Sequence, residues 1–155
     1  MRQLLLLPFL LALASTCTVG ADYKIPTIAQ QASLAGAVFV AQVHKQYRHS
    51  PSKVRVRKAV FYKGCGPSSF DVSGFSSTAA CGIDLPRVKT YLIFFACYNN
   101  GRWTLSAIDA YAGVAALNSS NLAALENGTL SEYSCATNNM ILTTRCINVN
   151  NSLTG

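Results

Sequence analysis

His44, Lys45 and His49 are the residues best suited to acid–base work, because two imidazoles with a cation nearby can divide general acid and base roles as in a secreted ribonuclease. Five residues apart on an extended strand, however, they fall on opposite faces, and the turn that follows only partly repairs this. They read as surface histidines on a hairpin. A cysteine nucleophile has no better support: Cys81-Gly82 belongs to a disulfide-like pattern, and neither histidine stands in a catalytic context. Zinc-ligand spacing, a phosphate loop and a nucleophile elbow are absent from the sequence. The chain therefore reads as a binding protein rather than an enzyme, with neither cofactor nor metal.

What the sequence does concentrate is positive charge. Between His44 and Lys63 stand Lys45, Arg48, Lys53, Arg55, Arg57, Lys58 and Lys63 without a single acid. Strand alternation sets Lys53, Arg55 and Arg57 on one face, about 7 Å apart, and Lys58 follows them. Sulfated polysaccharides present anionic groups along a line, so Lys53, Arg55, Arg57 and Lys58 form a candidate site for a heparin-like glycosaminoglycan. The competing explanation is a solvated edge strand that charge protects from aggregation. Across the chain, 13 Lys and Arg oppose 6 Asp and Glu, a formal charge of +7, which suits an anionic partner or serves solubility alone. Nucleic acid is a poor fit, because single-strand sites need stacking aromatics and Tyr47 is the lone aromatic between His44 and Ala59.

The compartment follows from the first residues. Arg2, the apolar run Leu4 to Leu13 and the small residues after it have the layout of a secretory signal, too short to span a bilayer. Cleavage after Ala14 would leave Ser15 as the first residue, and cleavage after Ala21 would leave Asp22. The length of the polar stretch favours Asp22, giving a signal over 1–21 and a secreted, extracellular protein without a membrane span. That cut leaves Cys65, Cys81, Cys97, Cys135 and Cys146, an odd set in an oxidising compartment, whereas the earlier cut retains Cys17 and an even count. Asn118, Asn127 and Asn150 each open an N-glycosylation sequon that the secretory route makes usable.

The elements that must position these residues are mainly β. Pro26 to Leu34 reads as a short helix closed by Gly36. From Val38 a strand runs that begins buried and ends in solvent, with Val38, Val40 and Gln42 on one face and Phe39, Ala41 and Val43 on the other. His49-Ser50-Pro51-Ser52 turns it into a return strand through Tyr62. Ser69 to Val72 and Thr90 to Ala96 are further strands, the latter burying Tyr91, Phe94 and Phe95, and Asn99-Asn100-Gly101 turns into a fifth from Arg102 to Ile108. Ala110 to Leu125 is rich in Ala and Leu and reads as one or two short helices. No strand is followed by a full crossover helix, so the fold class is a mainly β, five-stranded antiparallel barrel with flanking helices.

In order and spacing these features resemble the netrin-like module, the fold of the N-terminal domain of tissue inhibitors of metalloproteinases. The resemblance rests on the helix with Ala32 before Ala37-Val38-Phe39-Val40, then Val60-Phe61-Tyr62-Lys63-Gly64, Ala80-Cys81-Gly82 and Tyr91-Leu92-Ile93-Phe94. Asn100-Gly101-Arg102-Trp103 and Tyr133-Ser134-Cys135 complete it. It implies an oligonucleotide/oligosaccharide-binding (OB) barrel over 22–135, a C-terminal tail over 136–155, and a secreted metalloproteinase inhibitor. The alternative is an extracellular-matrix module that binds heparin-like chains without inhibition.

Inhibitors of the family begin with Cys-x-Cys, whose first residue chelates the protease zinc. Asp22, Tyr23, Lys24, Ile25 and Pro26 occupy the matching protease-binding edge here without either cysteine. The edge would lack its disulfide tether and the preorganisation that comes with it. The family's fifth-strand cysteine falls on Ala107 or Ile108. With the family partner of Cys81 missing, Cys65 is the nearest alternative across a Gly, Pro and Ser loop, while Cys97 has Cys135 and Cys146 as candidate partners.

Overall fold

A computed structural model of the chain describes residues 26–49, 52–75, 83–106 and 113–127. Helix α1 (Ile28–Leu34) starts after Thr27, whose hydroxyl accepts from the Gln30 N–H at 3.2 Å while the Gln30 side chain accepts from the Thr27 N–H at 2.9 Å. This capping box satisfies donors that the first turn cannot pair internally, so Pro26 precedes the helix rather than entering it.

Strand β1 (Ala37–Tyr47) pairs antiparallel with β2 (Lys53–Lys63) on one side and with β4 (Tyr91–Asn99) on the other. β2 continues to β3 (Phe70–Ser73), and β3 to β5 (Arg102–Leu105), which returns to β4. The circuit β1-β2-β3-β5-β4-β1 closes a five-stranded barrel. One pairing differs from the expected all-antiparallel arrangement: β3 and β5 run parallel, Val72 beside Trp103 and Ser73 beside Thr104. The barrel is mixed because the chain leaves β3, forms β4 elsewhere in the circuit and comes back on β5 in the direction of β3.

A second correction falls in the stretch expected to be helical. Val114–Ala116 form a short strand, β6, antiparallel to β4, and α2 (Ser119–Asn127) starts only afterwards. β6 extends the line of β5 along the same edge of β4: Leu105 faces Ala96 and Val114 faces Phe94. Gly113 leads into β6 with a φ of +136°, and a Cβ there would stand 3.0 Å from the Ile83 side chain.

Inward-facing Phe39, Val43, Val54, Val56, Phe70, Val72, Phe94, Trp103 and Leu105 fill the barrel. Phe39, fully buried, holds its ring centroid 5.0 to 5.2 Å from those of Phe61, Phe70 and Phe94 and 6.0 Å from Trp103. Burying one such ring contributes roughly 1.5–3 kcal/mol. A smaller core lies outside β1 and β4, where Ala32, Ala35 and Leu125 from the two helical segments cover Val38, Ile93 and Phe95. Lys63 pins α1 from β2, its ammonium donating to the carbonyls of Ala32 at 3.0 Å and Ser33 at 3.3 Å. Partial burial holds that ammonium below the ordinary lysine pKa.

Phe94 and Phe95 are fully buried as expected, but Tyr91 is 40% exposed. It opens β4 on the outer surface, beside Gln42 of β1, beyond the cover of the helices. Among the described residues no helix is long and apolar enough to cross a membrane.

Candidate functional site

The cationic row is built by an irregular hairpin. Val54 and Val56 face the barrel interior, which turns Lys53, Arg55 and Arg57 outward. Farther along, Ala59 and Phe61 face inward, so the alternation changes phase between Arg57 and Ala59. Lys58 absorbs the change: its φ is +54°, and the β1–β2 register slips between Val40 and Gln42 opposite it. A bulge of this kind leaves two successive residues outside and re-aims the strand. Lys58 is exposed and so extends the row instead of alternating away from it.

β1 completes the face. Lys45 lies opposite Arg55 and Tyr47 opposite Lys53, with the Lys53 ammonium 5.2 Å from the centre of the Tyr47 ring. The cation heads are less free than the sequence implies. Asp71, opposite Arg55 on β3, takes the Lys53 ammonium at 3.2 Å and the Arg55 guanidinium at 3.3 Å. Arg57 donates to the Gln42 side chain at 2.8 Å, and the Gln42 amide in turn donates to the Lys89 carbonyl at 3.3 Å. The Gln42 contact orients Arg57 without neutralising it, whereas Asp71 offsets one charge of its two partners. Both ion pairs are partly exposed, a setting in which such pairs contribute about 0–1 kcal/mol each.

Beside this row the surface sinks into a cleft of about 770 Å³. Lys53, Arg55, Asp71, Tyr98 and Arg102 line it, together with the Cys65-Gly66-Pro67 segment. Arg102 arrives through the β4–β5 turn, where Asn100 and Gly101 adopt φ of +51° and +76°, the geometry an Asn-Gly hairpin favours. Trp103 and Phe70, 7% and 6% exposed, lie at its base. Ser73 donates to the Trp103 carbonyl at 3.1 Å and stands 3.4 Å from the Thr104 hydroxyl, which ties β3 to β5 beneath the cleft.

Other candidate residues fall elsewhere. His44 and His49 are exposed. Asp22, Tyr23, Lys24 and Ile25 lie outside the described residues; Pro26 is described, its carbonyl accepting from the Gln31 amide at 3.0 Å. Cys65 and Cys97 are each disulfide-bonded, and Cys81, Cys135 and Cys146 lie outside the described residues. Asn118 and Asn127 are exposed at the two ends of α2, and Asn150 is outside the described residues. The side-chain oxygen of Asn118 accepts from the Asn121 N–H at 2.8 Å, capping the helix. No group of three or more His, Cys, Asp or Glu is placed to hold a metal among the described residues.

Sequence reasoning passed over Asp71, Gln42 and Arg102. Arg102 had a readable signal, as the first residue after a recognised Asn-Gly turn. Asp71 and Gln42 acquire their roles from strand register. Compared with family models and with curated proteins, the chain gives no match.

Proposed function

We propose that this is a secreted barrel that binds sulfated, heparin-like polysaccharide through the outer face of β1 and β2. The supporting observation is the presence on one face of Lys45, Lys53, Arg55, Arg57 and Lys58, with Asp71 as the carboxylate that pairs with two of them. A linear polyanion laid along β2 would meet a cation about every 7 Å. It would also be drawn in from a distance, since screening at 0.1 M salt acts over about 10 Å. A charge-protected edge explains Lys53 and Arg55 less well, because β2 is paired on both sides from Lys53 to Val56; from Arg57 onward β3 no longer pairs with it.

The strand circuit is consistent with an OB-type barrel, whose β2–β3 face and β4–β5 loop serve ligands in that architecture. Retention on a heparin column tests the reading. Replacing Lys53, Arg55 and Arg57 with Gln should remove most retention without unfolding the protein, since all three heads reach the surface; equal retention would make the row a solubility device.

Metalloproteinase inhibition is the second reading, and one buried side chain favours it. The buried Gln31 side chain holds the Pro26 carbonyl at 3.0 Å and accepts from the Gly113 N–H at 3.2 Å, so the N-terminal edge grows from a fixed root. A fixed root supplies part of the preorganisation that the missing Cys-x-Cys would have given. Protein with a verified native N-terminus should then inhibit a matrix metalloproteinase at micromolar concentration; no inhibition leaves polysaccharide binding as the function.

A further inference from the structure

The geometry points to the cleft beside the cationic row as a discrete site for one anionic sugar unit, a uronate or a sulfated hexose, with Arg102 as the residue that reads its anionic group. This inference rests on the polysaccharide reading and adds a specific pocket to a face that would otherwise recognise charge alone. The volume of about 770 Å³ lies within the roughly 300–1,000 Å³ of small-ligand sites, ample for a mono- or disaccharide.

Three features separate a sugar from other anions. First, the cleft carries a carboxylate: Asp71 would repel a dense polyphosphate but can accept hydrogen bonds from sugar hydroxyls. Its two cations then hold it in place, because Lys53 and Arg55 approach it from β2 at 3.2 and 3.3 Å. Second, the aromatic base is almost covered, Trp103 and Phe70 being 7% and 6% exposed, which leaves the partly buried Tyr98 as the one ring of the lining on which a nucleobase could stack. Third, Arg102 is exposed at a turn that glycine geometry fixes, and the described residues place no carboxylate within 4.0 Å of it. Its planar fork matches a carboxylate or sulfate in two parallel hydrogen bonds, which a lysine in its place would not reproduce. Ser69 and Ser73 also line the cleft, and Ser73, its proton given to the Trp103 carbonyl, keeps its hydroxyl oxygen as an acceptor.

The test titrates the full mature protein with a sulfated uronic-acid disaccharide and, separately, with long heparin. Saturable one-to-one binding of the disaccharide, weakened at least tenfold by Arg102→Gln while long-chain retention changes little, supports the site. Asp71→Asn should also weaken the disaccharide, through loss of a hydroxyl acceptor, although it leaves the protein more cationic; tighter binding would contradict the role given to Asp71. Long-chain binding by the wild type without disaccharide binding overturns the cleft and leaves the row standing. Equal displacement of the disaccharide by a short oligonucleotide of the same charge overturns it as well, because the site would then read charge and not sugar. Failure of both long chains and disaccharide to bind removes the polysaccharide reading itself.

Discussion

Asp71 places opposite demands on two kinds of ligand. By holding Lys53 and Arg55 together it orders two long side chains, yet it subtracts a charge from the part of the row that a polyanion must engage. For a long sulfated chain, whose attraction is mostly Coulombic, the subtraction matters more than the ordering, because exposed pairs of this kind contribute about 0–1 kcal/mol. Asp71→Asn should therefore raise the salt concentration needed to elute the protein from heparin. Earlier elution would mean that Asp71 serves chiefly to hold the two cations in a binding geometry.

At the level of elements, the bulge at Lys58 decides which residues share the cationic face. Its left-handed backbone costs an ordinary side chain about 1–2 kcal/mol, and a β-branched side chain tolerates it least. Lysine already bears that cost, so Lys58→Val should add only the extra strain of a β-branched side chain and lower stability in urea or thermal unfolding by less than the full figure, although valine favours regular strands. A neutral or stabilising result would mean that β2 runs regularly through this position. The same residue marks how far the fold was legible in the sequence. Alternation from Val38 to Val43 and from Lys53 to Arg57 gave both faces of the first hairpin, and Asn99-Asn100-Gly101 gave the turn that carries Arg102. Alternation carries no signal for a phase change at a lysine, so the approach of Lys58 to the row was read from charge and not from geometry. The parallel pairing of β3 with β5 was equally hidden, since four residues alternate in the same way beside a parallel or an antiparallel neighbour. Ala115 and Ala116 favour helix intrinsically, and their pairing with Ile93 and Leu92 overrides that preference. Tyr91 looked like core because its neighbours are apolar, but no helix covers the start of β4.

Over the whole molecule, the covering helices and the cleft lie over different strands of the barrel. α1 and α2 pack outside β1 and β4, with the sequon residues Asn118 and Asn127 at the ends of α2, whereas the cleft opens over β2, β3 and β5. In a secreted protein, glycans at those two positions would extend from the helical side and leave the cleft uncovered. The described residues hold ten Lys and Arg against Asp71, Asp84 and Glu126, so the polyanion reading depends on a concentrated charge and not on a single contact. Its most direct test is the dissociation constant for a heparin oligosaccharide measured across a series of salt concentrations, for the wild type and for the Lys53→Gln, Arg55→Gln, Arg57→Gln variant. The account predicts steep weakening with salt for the wild type, and for the variant both weaker binding and a clearly shallower dependence. Identical salt dependence in the two proteins, with equal affinity, would contradict it.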